Sequence, residues 1–326
     1  MENTGTFWQI SNNNTVQNAM QMVRNEVSKL IVGQDELLQL LVASICCGGH
    51  VLIEGVPGVA KTLSAKLIAK SMDIDFSRIQ FTPDLMPSDV TGTIVFNMKE
   101  STFDFHKGPI FSNMVLIDEI NRAPAKTQAA LFEVMEEKQV SIDGTTYKMQ
   151  EPFIVIATQN PIEQEGTYKL PEAQLDRFLF RIQLSYPKLE EEIQILNKFI
   201  DDFNKTQISN VKPILSAKQI QECRDFVEQI TIQPELIQYI ATIVHNTRFD
   251  ANLYLGASPR ASSAIMQSAK AIAAIQGRTF VTPDDIQYVA YYVLNHRLVL
   301  LPEREMQGIT IKDVLKQIIS KIEVPR

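Results

Sequence analysis

His50-Val51-Leu52-Ile53-Glu54-Gly55-Val56-Pro57-Gly58-Val59-Ala60-Lys61-Thr62-Leu63 is the stretch on which the fold turns. A short apolar run enters a Gly/Pro loop that closes on Lys-Thr, and a helical pattern begins at Lys61. A loop of this kind turns its backbone amides towards phosphate oxygens, and the helix N-terminus behind it adds positive potential. Lys61 then reaches the β- and γ-phosphates, and the Thr62 hydroxyl takes a place on Mg2+. Gly55, Val56, Pro57, Gly58, Val59, Ala60, Lys61, Thr62 and Leu63 are therefore the expected ATP contacts. Ala60 stands where the strict pattern has glycine, and alanine is the smallest replacement. The bland alternative is a strand-to-helix turn that happens to contain Lys-Thr.

A second stretch argues against that alternative. Met114-Val115-Leu116-Ile117-Asp118-Glu119 is an apolar run ending in two carboxylates. Asp118 can hold Mg2+ through water, and Glu119, one step further out, can act as general base on the attacking water. Adjacent carboxylates repel and must be solvated, so without a ligand to serve they are costly neighbours. A third apolar run, Phe153–Ala157, leads to Thr158-Gln159-Asn160-Pro161. Strand ends collect at the ligand crevice of such sheets, so Asn160 is either a hydrogen-bonding partner of the γ-phosphate or lytic water, or a plain turn former. Arg177, in Leu175-Asp176-Arg177-Phe178, and Arg260, after Gly256-Ala257-Ser258-Pro259, have the chemistry to stabilise a transferring phosphoryl group. Surface salt bridges explain either arginine equally well from its type alone.

Working outward, strand runs at 50–54, 113–117 and 153–157 alternate with helical segments, the signature of a parallel sheet covered on both faces. Two hairpins interrupt the rhythm. One joins Ile94–Phe96 to Phe103–Phe105; the other joins Gln139–Ile142 to Thr146–Met149 around Asp143-Gly144. A helical face over Val16, Met20, Val23, Val27 and Leu30 precedes the phosphate loop. After Pro187 only helices are expected. Leu189, Ile193, Leu196, Ile200 and Phe203 fall at helical spacing, as do Ile220, Cys223, Val227 and Ile230 behind a Ser216 cap, and Leu236, Ile240 and Ile243. Further helices run from Pro259 to Gly277, from Thr282-Pro283-Asp284-Asp285, and over Ile311 to Ile322. The expected organisation is a polar tail over 1–14, an α/β nucleotide-binding core over 15–187 and an all-helical lid over 188–326.

Hydrophobic residues at 45% and charged residues at 21% fit a globular chain with a sizeable core. Leu37–Ile53 is apolar but too interrupted for a membrane span, and no basic-then-apolar leader opens the chain; a cytoplasmic protein is expected. A net charge of −7 argues against a basic nucleic-acid footprint. Cys46, Cys47 and Cys223 read as reduced core thiols. His50, His106, His245 and His296 are isolated, with no Cys or His at metal-ligand spacing.

Phosphate loop, Asp-Glu strand, asparagine strand and two late arginines, in that order with a helical lid, resemble the AAA+ ATPases, and the wording is similar to the MoxR family among them. Val56–Thr62 looks like that family's own form of the loop, in which Ala60 is expected. Phe81–Leu85, Ser88–Gly92, Gly108–Phe111, Asp118–Pro124, Ala157–Tyr168 and Leu170–Phe178 carry the same likeness, which runs from Val23 to Leu301. The resemblance implies a Mg2+-dependent ATPase with Asn160 as sensor 1, Arg177 as an arginine finger given to a neighbouring subunit, and Arg260 as the sensor 2 arginine. It places Val32, Gly33 and Gln34 beside adenine and makes the two hairpins a helix-2 insert (91–107) and a pre-sensor 1 insertion (139–150). It further implies a homo-oligomeric ring, usually hexameric, and chaperone-like work on protein clients, often with von Willebrand A-type partners. A DNA-acting motor is the main alternative; the acidic charge and a hairpin over Thr93–Asp104 whose only base is Lys99 argue against it. A slowly turning nucleotide-sensing scaffold is the other, and the joint presence of Glu119, Asn160 and Arg177 argues against that.

Overall fold

Val51, Leu52 and Ile53 are all fully buried, which consecutive strand residues achieve only where both faces of the sheet are covered. The computed structural model describes residues 15–56, 58, 61–160, 167–202 and 211–325. The expected tail over 1–14, Pro57, Val59, Ala60, the 161–166 part of the asparagine motif and Phe203 lie outside the described residues. The first half runs α1 (Thr15–Val27), α2 (Asp35–Cys47), β1 (His50–Gly55), α3 (Lys61–Ser71), β2 (Met72–Asp73), β3 (Phe76–Gln80), α4 (Pro87–Thr91), β4 (Gly92–Asn97), β5 (Thr102–Lys107), β6 (Met114–Asp118), α5 (Ala125–Glu137), β7 (Gln139–Ile142), β8 (Thr145–Lys148), β9 (Ile154–Gln159), α6 (Glu172–Leu175) and β10 (Phe178–Leu184). The second runs α7 (Leu189–Asp202), β11 (Leu215–Ser216), α8 (Ala217–Gln229), α9 (Pro234–Thr247), β12 (Leu253–Leu255), α10 (Pro259–Ile275), α11 (Pro283–Leu294), β13 (Val299–Leu300), α12 (Pro302–Met306) and α13 (Ile311–Ser320).

The main sheet has the order β10-β1-β9-β6-β3, and every pairing in it is parallel. Side chains alternate across it with period two. Val51, Ile53, Leu116 and Ile156 join a core shared with α1, α2, α3 and the later helices, while Leu52, Val115, Ile117 and Val155 pack on Leu131, Phe132 and Met135 of α5. The parallel α/β core followed by a helical lid is thus as expected. Both hairpins form, β4 with β5 and β7 with β8, and Asp143 and Gly144 take the positive φ angles, 49° and 74°, that a tight turn demands.

The lid is helical with small exceptions that periodicity does not reveal: β12 pairs with β13, and β11 pairs with β2 of the core. Ser216 caps α8 by accepting the Gln219 N–H at 3.3 Å, and Thr282 opens α11 with Pro283 in its first turn. Phe76-Ser77-Arg78-Ile79-Gln80 carries no apolar run and is not expected as a strand. It forms the sheet edge, where one face needs no burial. α2 and α5 were likewise not marked. α2 is apolar nearly all round because α8 and α10 pack on it.

His50 ties three elements together. Its Nδ1 accepts the Val155 N–H at 2.9 Å, so Nε2–H donates to the Met135 carbonyl at 3.1 Å. Burial holds this ring neutral and pushes its pKa down to about 4; His296, against the Phe178 carbonyl, is pushed down for the same reason. Both protonate near pH 6.5 when unfolded, so their contribution is whole above that pH and is lost as pH falls, for His50 through about 4. His50 alone is expected to remove on the order of 2 kcal/mol between pH 7 and pH 5. Urea midpoints at the two pH values check this, and His50→Gln should flatten the dependence.

Candidate active site

The strand ends bring the expected residues together. β1, β9 and β6 are neighbours in register, so Gly55, Gln159 and Asp118 finish at one edge of the sheet. Lys61 opens α3, and its Nζ donates to the carbonyls of Gly55 and, at 3.3 Å, of Gln159. Gly58 sits at φ +87°, a left-handed conformation that favours glycine. A cleft of about 400 Å3 is lined here by Gly58, Lys61, Thr62, Leu63, Arg78, Gln80, Asp118, Glu119, Thr158 and Asn160. Val32, Gly33 and Gln34 line a second cavity, of about 340 Å3, with Tyr186, Pro187, Glu191 and Ile195. Gly58 and Leu63 border both, so the two spaces are contiguous.

Asp118 is only 4% exposed, yet each of its oxygens has a donor. Oδ1 accepts from the hydroxyls of Thr62 at 3.0 Å and Thr158 at 3.2 Å. Oδ2 receives Arg78 Nε at 2.6 Å. Glu119 turns the chain with φ 57°, a conformation uncommon outside glycine that clusters at functional sites. Its backbone N–H donates to Thr158 Oγ1 at 3.1 Å, and its Oε2 accepts from Gln80 Nε2 at 2.9 Å and Arg122 Nε at 3.0 Å. Asn160 is buried at the end of β9 and lines the cleft. Thr158, Arg78 and Gln80 were missed from sequence. The last two lie on the unmarked strand β3, and only its pairing, Gln80 opposite Asp118, brings them to the carboxylates.

Arg177 and Arg260 are elsewhere. Phe178 pairs with His50 at the opposite end of β1 from the phosphate loop, and five strand steps separate those ends by about 17 Å. Both arginines converge on Glu136 of α5, Arg177 at 2.8 Å to Oε2 and Arg260 at 2.8 Å to Oε1. The Arg260 guanidinium holds the Glu136 carboxyl below its usual pKa. Asp176 adds a second anion, 3.8 Å from Arg260 and anchored at 2.6 Å by the buried Arg297. Glu136 and Arg297 gave no signal in the sequence, because one looks like any helix carboxylate and the other follows a helix end without a motif.

Residues 50–180 match the model of the ATPase family associated with various cellular activities (AAA), and residues 245–318 match the AAA lid domain. The chain is 42% identical to Chaperone MoxR1 of Mycobacterium tuberculosis over 92% of this chain and 81% of that one. The chain belongs to the MoxR family of AAA+ ATPases. It is also 44% identical to the uncharacterised Bacillus subtilis protein YeaC over 92% of both chains. A solved Cytophaga hutchinsonii structure at 45% identity superimposes with a TM-score of 0.88, covering 95% of this chain and 96% of that one.

Membership in the family supports an ATPase activity, and the donor set fits its ligands. An ammonium, loop amides and a helix N-terminus suit a polyphosphate; a hydroxyl and a carboxylate are hard oxygen donors suited to Mg2+. Among the described residues no His, Cys, Asp and Glu cluster forms a separate metal site. Cys46, Cys47 and Cys223 are unbridged; Cys46 and Cys223 lie in the core and Cys47 is half-buried, and burial pushes the thiols of Cys47 and Cys223 up to about 12. Glu119→Gln should retain ATP affinity while hydrolysis falls about 10²–10⁴-fold. Lys61→Ala should lose binding itself. Equilibrium binding and phosphate release, measured on the same preparations, separate the two effects.

Proposed function

We propose that this MoxR-family chain hydrolyses ATP·Mg2+ in a ring where each site is completed by the next subunit, and that it uses the cycle to remodel a protein partner. The observation that supports the shared site is the pairing of Arg177 and Arg260 on Glu136, at the sheet edge opposite their own phosphate loop. Neither side chain spans the length of β1 to its own nucleotide. A second copy, placing this edge over the phosphate cleft, brings two guanidiniums to the γ-phosphate, where charge develops during transfer. A hexamer is the assembly that the family resemblance favours.

Work on a protein is supported by the β4–β5 hairpin. Its tip exposes Met98 and Phe103, 87% and 74% accessible, beside Val95 and Phe96. Phe96 and Phe103 stack with ring centres 5.0 Å apart. An apolar, aromatic tip with few bases suits an unfolded or apolar polypeptide segment better than a polyanion. A relative named as a chaperone, MoxR1 of Mycobacterium tuberculosis, points the same way.

Arg177→Ala is expected to keep nucleotide affinity and lose about 10³-fold or more in turnover. Mixed with Lys61→Ala, which keeps its arginines, it should regain part of the activity, because one interface in the mixture is then intact. Turnover per wild-type chain that stays constant on dilution to a demonstrated monomer excludes the shared site. For the partner, Phe103→Ser should leave basal turnover unchanged and abolish stimulation by an unfolded protein substrate; undiminished stimulation assigns the work to another surface.

A further inference from the structure

Asp118 is a buried carboxylate whose Oδ1 is already taken by two hydroxyl donors, so Oδ2 is the side from which its charge is neutralised. Arg78 supplies that neutralisation, with Nε 2.6 Å from Oδ2. A buried carboxylate robbed of such a partner is strongly destabilising. Arg78 itself is loosely held otherwise. Its side chain is 45% exposed, it stands on the edge strand β3, and its other guanidinium contact is Gln80 Oε1 at 3.5 Å, the limit of a hydrogen bond. It lines the same cleft as Lys61 and Asn160, within the space assigned to the phosphates.

We propose that Arg78 is an exchangeable counter-cation of the metal-binding carboxylate: it neutralises Asp118 in the nucleotide-free chain and transfers to the nucleotide phosphates when a divalent cation takes Asp118. The proposal rests on the cleft being the ATP·Mg2+ site. Its physical basis is that Asp118 cannot hold a guanidinium at 2.6 Å and a divalent cation on one side at once, since the two cations repel. Without nucleotide, the cation must send Arg78 into water and gains only one carboxylate in exchange. With nucleotide present, Arg78 has phosphate oxygens to accept it, for which a guanidinium fork is as well suited as for a carboxylate. Nucleotide therefore raises metal affinity through Arg78 as well as through its own oxygens. By linkage, metal raises nucleotide affinity by the same factor. Lys61 is held differently, with its Nζ on the Gly55 and Gln159 carbonyls.

The test is Mn2+ binding to the full chain, followed by electron paramagnetic resonance, with and without ADP. Arg78→Gln should bind Mn2+ about tenfold more tightly than wild type in the absence of nucleotide, and the enhancement by ADP should shrink by a similar factor. Arg78→Lys, which keeps the charge, should stay near wild type. Arg78→Met, which keeps the aliphatic stem, should behave like Arg78→Gln and serves in its place if that variant melts early. Equal or weaker nucleotide-free Mn2+ affinity in the charge-removing variants overturns the exchange. Wild-type chain that fails to bind fluorescent ADP even with Mn2+ present would instead remove the nucleotide reading on which the exchange rests.

Discussion

A carboxylate buried at the end of a strand is stable only if every oxygen finds a donor, and Asp118 meets that condition by drawing on three separate elements. Thr62 comes from the helix behind the phosphate loop, Thr158 from β9 and Arg78 from the edge strand β3. Each donor fixes the position of its own element against β6. Thr158 has a second task, because its hydroxyl also accepts the Glu119 N–H and so holds the left-handed turn at Glu119. Asp118 therefore organises the cleft before any ligand enters. Thr62, Thr158 and, through Thr158, the Glu119 turn are positioned around one buried charge at the end of an apolar sheet.

The parts of this arrangement that were legible in sequence are those encoded by neighbours along the chain. Val51–Ile53 and Val115–Ile117 announce buried parallel strands by continuous apolarity, and Asp143-Gly144 announces a hairpin by its backbone needs. Ser216 and Thr282 announce helix starts through local hydrogen bonding. What escaped depends on pairing between segments distant in the chain. Arg78 and Gln80 become meaningful only when β3 is laid beside β6. Glu136 becomes meaningful only when α5 is seen to stand between Arg177 and Arg260. The short strands β12 and β13 escaped for a related reason: two or three residues have no measurable period, and their pairing is set by the helices that flank them.

Two arginines side by side are as unfavourable as two carboxylates, so their juxtaposition needs an anion. Within one chain that anion is Glu136, helped by Asp176. The buried Arg297 fixes Asp176 through its side chain and donates to the Asp176 and Phe178 carbonyls, which holds the turn carrying Arg177. In the proposed ring, the phosphates of a neighbouring subunit take over part of the role that Glu136 plays in the isolated chain. Glu136 then holds both guanidiniums in readiness, and it limits their freedom before assembly. The same principle governs Arg78 on Asp118 at the other edge. At both strand ends of the sheet, guanidinium groups pair with a carboxylate of their own chain.

Such exchanges also bear on how phosphate chemistry reaches the hairpins. β9 (Ile154–Gln159) begins six residues after β8 and ends next to Asn160, so one strand runs from the base of the insertion to the cleft. Tyr147 of β8 stacks on Phe105 of β5 with ring centres 4.3 Å apart, and Phe105 also meets Phe111 edge-on. The two hairpins are therefore in contact. A buried strand is packed too densely to absorb a shift by compression. ATP and ADP can bias the hairpins only by as much as they differ in affinity for the two arrangements, and they differ at the γ-phosphate. In the proposed ring, the groups that would sense that difference are Asn160, which lines the cleft, and the arginines of a neighbouring subunit. The first connects by covalent chain to the hairpins of its own subunit. In the proposed ring, the second would link the γ-phosphate to the next subunit.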